Sequence, residues 1–278
     1  MEISQGDFWL KDDQLVRKED LPGDFIERGT SLYEVIRVIR GVPIFFEQHM
    51  DRLKGSCQLT GLEFPVDVAT IKRRLYQLIS TNQVQAGNIK IVLNYQRENS
   101  PANCYAYFTQ ARYPSPADYQ KGVKTVVVKM ERPTPNAKID RAEYRRVIDS
   151  AKEKTGSYEA ILVDHNGFVT EGGRSNLFMI TGDLVVTAPG DRVLKGINRQ
   201  MVMVACHNIG QSVVEKEVSL TEMLTMDAVF ITGTSPHVLP VSQVDDKHFD
   251  SPHNQILRNI MAEFDKIVEE YIETNGSV

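Results

Sequence analysis

Glu171 lies in the stretch Val-Thr-Glu-Gly-Gly-Arg-Ser-Asn-Leu-Phe, residues 169–178. A carboxylate at the end of one apolar run, followed by two glycines and a second apolar run (Leu177 to Ile180), can be the counter-charge to a cationic ring nitrogen. Lys138 follows a proline-bearing loop and precedes a helical pattern. A lysine amine can attack a carbonyl and, once neutral, move a proton from carbon. Three other features suit an anion. Gly196-Ile197-Asn198 opens a helical pattern, where unpaired first-turn amides and the helix dipole favour negative charge. Thr232-Gly233-Thr234-Ser235 follows an apolar strand and offers hydroxyls beside a glycine. Arg52 could aim a guanidinium at the same anion. Each has an ordinary alternative: a surface lysine, an exposed helix arginine, a glycine at a helix start, a plain turn. Neither glycine segment has the GxGxxG or GxxxxGK[ST] spacing of nucleotide-binding loops.

Composition narrows the classes. The chain of 278 residues is 41% hydrophobic and 25% charged, as in a globular protein large enough for one large core or two smaller ones. A net charge of −5 argues against a nucleic-acid coat. The basic clusters Lys72-Arg73-Arg74 and Arg145-Arg146 fit solvated helix faces. The first residues lack the basic and apolar regions of a signal peptide, and no apolar run nears the ~20 residues of a membrane span. Cys57, Cys104 and Cys206 have no framework spacing, so reduced thiols and a cytoplasmic location are expected. His248 and His253 sit in a polar loop without metal-site spacing.

These residues need elements to place them. Leu32–Val38 reads as a strand, with charges from Glu34 onward disturbing its alternation. Gly41-Val42-Pro43 is a turn, and Ile44-Phe45-Phe46 a second strand of a hairpin. Helices are predicted over 47–59 and 66–81, then strands over 89–93 and 104–108. Residues 114–119, with two prolines, read as a linker between a small N-terminal domain (1–113) and a large cofactor-binding domain (120–278). That second part carries strands at 123–130, 158–163, 184–186, 227–231 and 238–244, and helices over 141–154, from 196, and over 254–272. Pro240 places its strand at an edge or makes it irregular. The class is α+β, two domains with mostly antiparallel or mixed sheets.

Taken in order, the motifs resemble one family. They run Gly29-Thr30-Ser31-Leu32-Tyr33-Glu34-Val35-Ile36-Arg37, His49-x-x-Arg52-Leu53, Lys138, Tyr158 to Leu162, Thr170-Glu171-Gly172 with Ser175-Asn176-Leu177-Phe178, Leu194-Lys195-Gly196-Ile197-x-Arg199, Thr232 to Ser235, and Leu239-Pro240-Val241. The set, from about Gly29 to Val244, resembles the class IV aminotransferases, the fold type IV pyridoxal phosphate enzymes. The resemblance implies pyridoxal 5'-phosphate as cofactor, Lys138 as its covalent anchor, and Arg52, Gly196, Ile197, Asn198 and Thr234 around its phosphate. It also implies Glu171 at the pyridine nitrogen and Leu194 against the ring. Asn198 stands where the family commonly has threonine, and Tyr144 is one step out of register with the tyrosine some members place after the lysine. Tyr33-Glu34-Val35 resembles the D-amino acid aminotransferase form of the first strand, so Tyr33 and Val35 are substrate candidates. Arg28, Lys90 and Arg97 are candidates for the substrate carboxylate, and His237 for the site wall. The expected activity is amino transfer from an amino acid, D-alanine or D-glutamate favoured, to 2-oxoglutarate or pyruvate. A branched-chain L-amino acid aminotransferase, an aminodeoxychorismate lyase and a non-catalytic binding protein are the alternatives. Homodimers are typical of the family; neither nucleic acid, membrane nor metal is expected.

Overall fold

A computed structural model describes residues 4–20, 29–65, 67–96 and 102–276. They divide into two compact units, one comprising residues 1–112, 137–140 and 268–278, the other residues 113–136 and 141–267. The short stretch 137–140, which carries Lys138, therefore belongs with the N-terminal part of the chain.

The first unit is built on a six-stranded sheet. Its strands are β1 (Ser4–Lys11), β2 (Gln14–Arg17), β3 (Thr30–Ile39), β4 (Val42–Pro43), β5 (Ala86–Tyr95) and β6 (Asn103–Thr109), with helices α1 (Phe46–Thr60) and α2 (Val68–Asn82) between β4 and β5. The order is β2-β1-β6-β5-β3-β4, and every pairing is antiparallel. Leu32, Ile36 and Val38 of β3 pack with Met50, Leu53 and Cys57 of α1 and Leu75 and Leu78 of α2 in one core. Glu34 shares the alternation of these apolar residues and is fully buried, which is why β3 defeats a simple inside/outside reading. The hairpin after β3 forms, but its second strand is only Val42–Pro43. Phe45 instead adopts φ 55° and caps α1, so Phe46 begins the helix rather than extending a strand.

In the second unit α3 (Pro116–Lys121) occupies most of the stretch expected to be a linker. Pro116 is tolerated there because it stands in the first turn, where no intrahelical N–H is needed, and Ser115 and Asp118 form a reciprocal capping box. There follow β7 (Val123–Lys129), α4 (Ala142–Thr155), β8 (Glu159–Val163), β9 (Phe168–Gly172), β10 (Asn176–Thr181), β11 (Leu184–Thr187) and α5 (Ile197–Asn208). Then come β12 (Ser212–Glu215), β13 (Val218–Ser219), α6 (Leu220–Met223), β14 (Ala228–Gly233), β15 (His237–Val244) and β16 (Lys247–His248). The last helix is α7 (Gln255–Asn275). The sheet runs β12-β11-β10-β14-β15-β7-β8-β9-β13, with β16 on β15. It is mixed, since β11–β12, β15–β7 and β7–β8 are parallel.

Of the two expectations for Pro240, the irregular strand holds and the edge does not: Pro240 lies in β15, an interior strand whose pairing with β7 shifts register between Val241 and Gln243. It pairs with Phe230 of β14, while pairing with β7 begins only at Val241. The missing N–H therefore falls where the second neighbour has not yet started.

Phe178 and Phe230 face each other across β10 and β14, fully buried and stacked at 5.1 Å. Phe230→Ala is expected to destabilise the second unit by about 3–5 kcal/mol. A fall in the urea midpoint of its near-UV transition would register this; an unchanged midpoint would show that this layer does not hold the sheet together.

Candidate active site

The first unit gathers several of the sequence candidates around β3. Glu34 cannot remain charged in a core without partners, and α1 supplies them one turn apart. Arg52 donates from Nε to Glu34 Oε1 at 2.7 Å and from Nη2 to Oε2 at 2.6 Å. His49 Nδ1 lies 2.7 Å from Oε2, and because an ionised carboxylate only accepts, Nδ1 carries the proton. Burial opposes ionisation of Glu34, but the Arg52 charge and the hydrogen bonds from Arg52 and His49 hold its pKa down at about 2. Burial pushes His49 below the usual histidine range, helped by the Arg52 and Lys138 charges and resisted by Glu34. The imidazole is thus a neutral hydrogen-bonding group close to two cations.

Lys138 is held by its backbone as much as by its side chain. Tyr33 N–H donates to Lys138 C=O at 3.1 Å, Asp140 N–H to Ser31 C=O at 3.0 Å, and Lys138 N–H to Ser56 Oγ at 3.2 Å. Leu32 and Ile139 form an antiparallel bridge. The Lys138 ammonium stands 4.9 Å from the centre of the Tyr33 ring. Val35 is opposite Lys90 in the β3–β5 ladder. Lys90, a candidate for the substrate carboxylate, is buried and bonded through Nζ to Asp140 Oδ2 at 3.0 Å. Arg28 and Arg97 fall outside the described residues.

In the second unit Glu171 is the penultimate residue of β9 and is buried. Arg132 Nε donates to its Oε1 at 2.6 Å, and Leu194 N–H (3.3 Å) and Asn176 Nδ2 (3.4 Å) reach Oε2. Arg132 also donates to Gly173 C=O and lies 4.9 Å from the Tyr144 ring, whose hydroxyl donates to the same carbonyl. Leu194 thus clamps Glu171 through its main chain, and Asn176 Nδ2 bonds Leu194 C=O at 2.8 Å.

Gly196 caps α5, and a Cβ there would run into Asn176 Oδ1. Only glycine allows this approach of the helix start to β10. Ile197 and Asn198 form its first turn and are buried; first-turn amides have no intrahelical acceptor. Thr232, across the ladder from Asn176, keeps its Oγ1 buried without a partner, and Thr234 sits in the turn that follows. His237 opens β15 with φ 51°, its ring 5.4 Å from that of Phe264. A buried hydroxyl without a partner, an open helix start and a paired buried carboxylate fit a ligand that carries both an anionic group and a protonatable ring.

Sequence reading passed over Arg132, Asn176 and Asp140 as site residues, and Glu34 and His49 entered only as parts of a motif. Asp140 had a signal: it is two residues from Lys138, hence on the same side of an extended segment. Arg132 had none, because its link to Glu171 joins residues 39 apart.

Residues 31–244 match the class IV aminotransferase family, and the chain belongs to it. The chain is 28% identical over 253 residues to the D-alanine aminotransferase of Bacillus licheniformis, covering 86% of this chain and 88% of that one. It is 25% identical over 251 residues to a putative branched-chain-amino-acid aminotransferase of Methanocaldococcus jannaschii, with coverage of 86% and 87%. The fold superposes on the structure of a T.th. branched-chain amino acid aminotransferase with pyridoxamine 5'-phosphate at a TM-score of 0.86 and 20% identity, covering 98% of each chain. The protein is a pyridoxal phosphate-dependent transaminase acting on amino and 2-oxo acids. Among the described residues no acidic, histidine or cysteine cluster could hold a metal, and no helix is long and apolar enough to cross a membrane.

Because the Glu34 pKa is depressed on folding, its contribution to stability is complete above the unfolded value of 4.5 and is lost as pH falls toward about 2. Acid titration of the wild type should show this loss. Glu34→Gln should remove that slope and destabilise the first unit by roughly 3–5 kcal/mol, since it leaves the Arg52 charge without its partner. A variant with the wild-type acid profile would contradict the assignment.

Proposed function

We propose that this transaminase moves the amino group of a D-amino acid, such as D-alanine or D-glutamate, to 2-oxoglutarate or pyruvate. The observation that carries the reading is the Tyr33-Glu34-Val35 strand, with Glu34 tying His49 and Arg52 to the strand that also seats Lys138. Similarity to a D-alanine aminotransferase over 86% of this chain supports it. A branched-chain L-amino acid donor is the second reading. It is favoured by the branched-chain relatives and by the apolar aromatic cluster of Trp9, Val92, Tyr105 and Tyr107 against which Tyr33 packs.

When bound, pyridoxal phosphate supplies an aldehyde for the amino group and a ring that accepts electrons from the substrate carbon. The chain's residues do the rest. Lys138 is the covalent anchor and, once released by substrate, the base that moves the proton from Cα. Glu171, oriented by Arg132, Asn176 and the Leu194 amide, favours a protonated ring nitrogen. Leu194 would pack against the ring. Arg52 has two guanidinium nitrogens committed to Glu34, so it presents a fixed positive charge to phosphate. The amides of Ile197 and Asn198 and the Thr234 hydroxyl would hold the phosphate in the second unit, with Gly196 at the open helix start. Tyr33, Val35 and His237 would contact substrate. Lys90 engages a carboxylate only by sharing its ammonium with Asp140.

A panel of D- and L-alanine, glutamate and leucine with 2-oxoglutarate tests the choice. Turnover of the D-donors supports the proposal, turnover confined to L-leucine establishes the second reading, and pyruvate release from aminodeoxychorismate with no transfer on the panel defeats both. Lys138→Ala is expected to lower transfer by roughly 10²–10⁴-fold and to abolish the borohydride-fixed pyridoxyl tag. Retained transfer in that variant would end the assignment of Lys138.

A further inference from the structure

We propose that the buried Lys90–Asp140 ion pair is a positioning device for Lys138, locking the segment 137–140 onto β3 so that the reactive amine is held over the Tyr33 ring. The inference rests on Lys138 being the cofactor's anchor, and the geometry is contained within one unit. Residues 138–140 meet β3 through a short ladder of two backbone hydrogen bonds and one bridge, and the Lys138 amide also donates to Ser56 Oγ. A ladder of that length, with loop before it and α4 after it, gains register from a further buried contact. The ion pair supplies what the ladder lacks. Lys90 projects from β5, a strand paired along its length with both β3 and β6, and its ammonium reaches Asp140 at 3.0 Å with both side chains buried.

Alternation along an extended segment places residues 138 and 140 on the same side. The pair therefore acts on the side where the Lys138 amine emerges. The Tyr33 ring completes the arrangement, because the Lys90 and Lys138 ammonium groups each stand 4.9 Å from its centre. A shift of the segment by one residue would turn Lys138 to the opposite side and leave Lys90 buried without its carboxylate. The ion pair makes that alternative register unfavourable. Lys90 and Asp140 are positioning residues, acting through Lys138 rather than on the reacting atoms.

The test uses the full chain with three variants: Asp140→Asn, Lys90→Met and the double variant Lys90→Met/Asp140→Asn. The double variant removes both charges, so it keeps no unpaired buried ion and folds where a single variant fails. Two readouts are taken. Amide hydrogen exchange of Tyr33 and Asp140, measured without cofactor, reports docking of the segment. Borohydride reduction after incubation with pyridoxal phosphate, followed by peptide mapping, reports how often the Lys138 amine is in place. In the double variant, exchange at both amides is expected to accelerate about tenfold and the Lys138 tag to fall about tenfold at equal cofactor concentration, with exchange in α1 and α2 unchanged. Wild-type exchange and tagging in the double variant would overturn the proposal, since the pair would then serve stability alone. If the wild type itself takes no tag at Lys138, the anchor assignment fails, while the exchange measurement still decides whether the pair docks the segment.

Discussion

A carboxylate placed on the inner face of a sheet must be surrounded by donors, and Glu34 shows how far that requirement organises this protein. Moving an ion from water into a protein interior is unfavourable unless charge and hydrogen bonds replace the lost hydration. Glu34 has no exposed surface, so α1 must deliver His49 and Arg52 to it. This fixes how α1 sits on β3, and with it the planar orientation of Arg52. Burial and the neighbouring cations push His49 below the usual histidine range, against the opposing pull of Glu34.

The same rule recurs at the other buried charges. Glu171 is met by Arg132, Asn176 and a backbone amide. Glu159 accepts from Ser175 Oγ and the Arg174 amide, and Arg199 donates to Ala188 C=O and pairs with Glu215. Lys90 has Asp140. Each of these side chains is fixed in orientation by more than one contact or by a partner that is itself buried. A site built on such groups is held in place before a ligand arrives, which lowers the reorganisation that the chemistry has to overcome.

Much of this was legible in the sequence, and the remainder has physical reasons for being hidden. The strands around Ile91, Ile161 and Phe230 announce themselves because apolar, β-branched runs are bounded by turn residues. The end of α4 at Gly156 and the start of α5 at Gly196 follow from backbone freedom and cap chemistry. Where local rules misled, a longer-range contact had decided the matter. Phe45 turns left-handed because α1 has to begin there to carry His49 and Arg52 to Glu34. Pro240 enters an interior strand because its neighbour starts one residue later. Arg132 and Asp140 were missed because their meaning lies in partners 39 and 50 residues away. Lys138, Glu171 and Arg52 were legible only as members of an ordered set, since each alone reads as an ordinary surface or helix residue.

The segment 137–140 also covers part of a boundary that would otherwise attract trouble. β3 is flanked on one side by β5 along its length, and on the other by β4 at Val38 and Ile39 and by the segment at Leu32. Bare strand margins are templates on which other chains add strands and begin to aggregate. While the lysine-bearing segment stays seated, Tyr33 N–H and Ser31 C=O are occupied from within the molecule. The few bonds that seat this segment therefore also shield the protein from self-association, and loosening them would expose this margin.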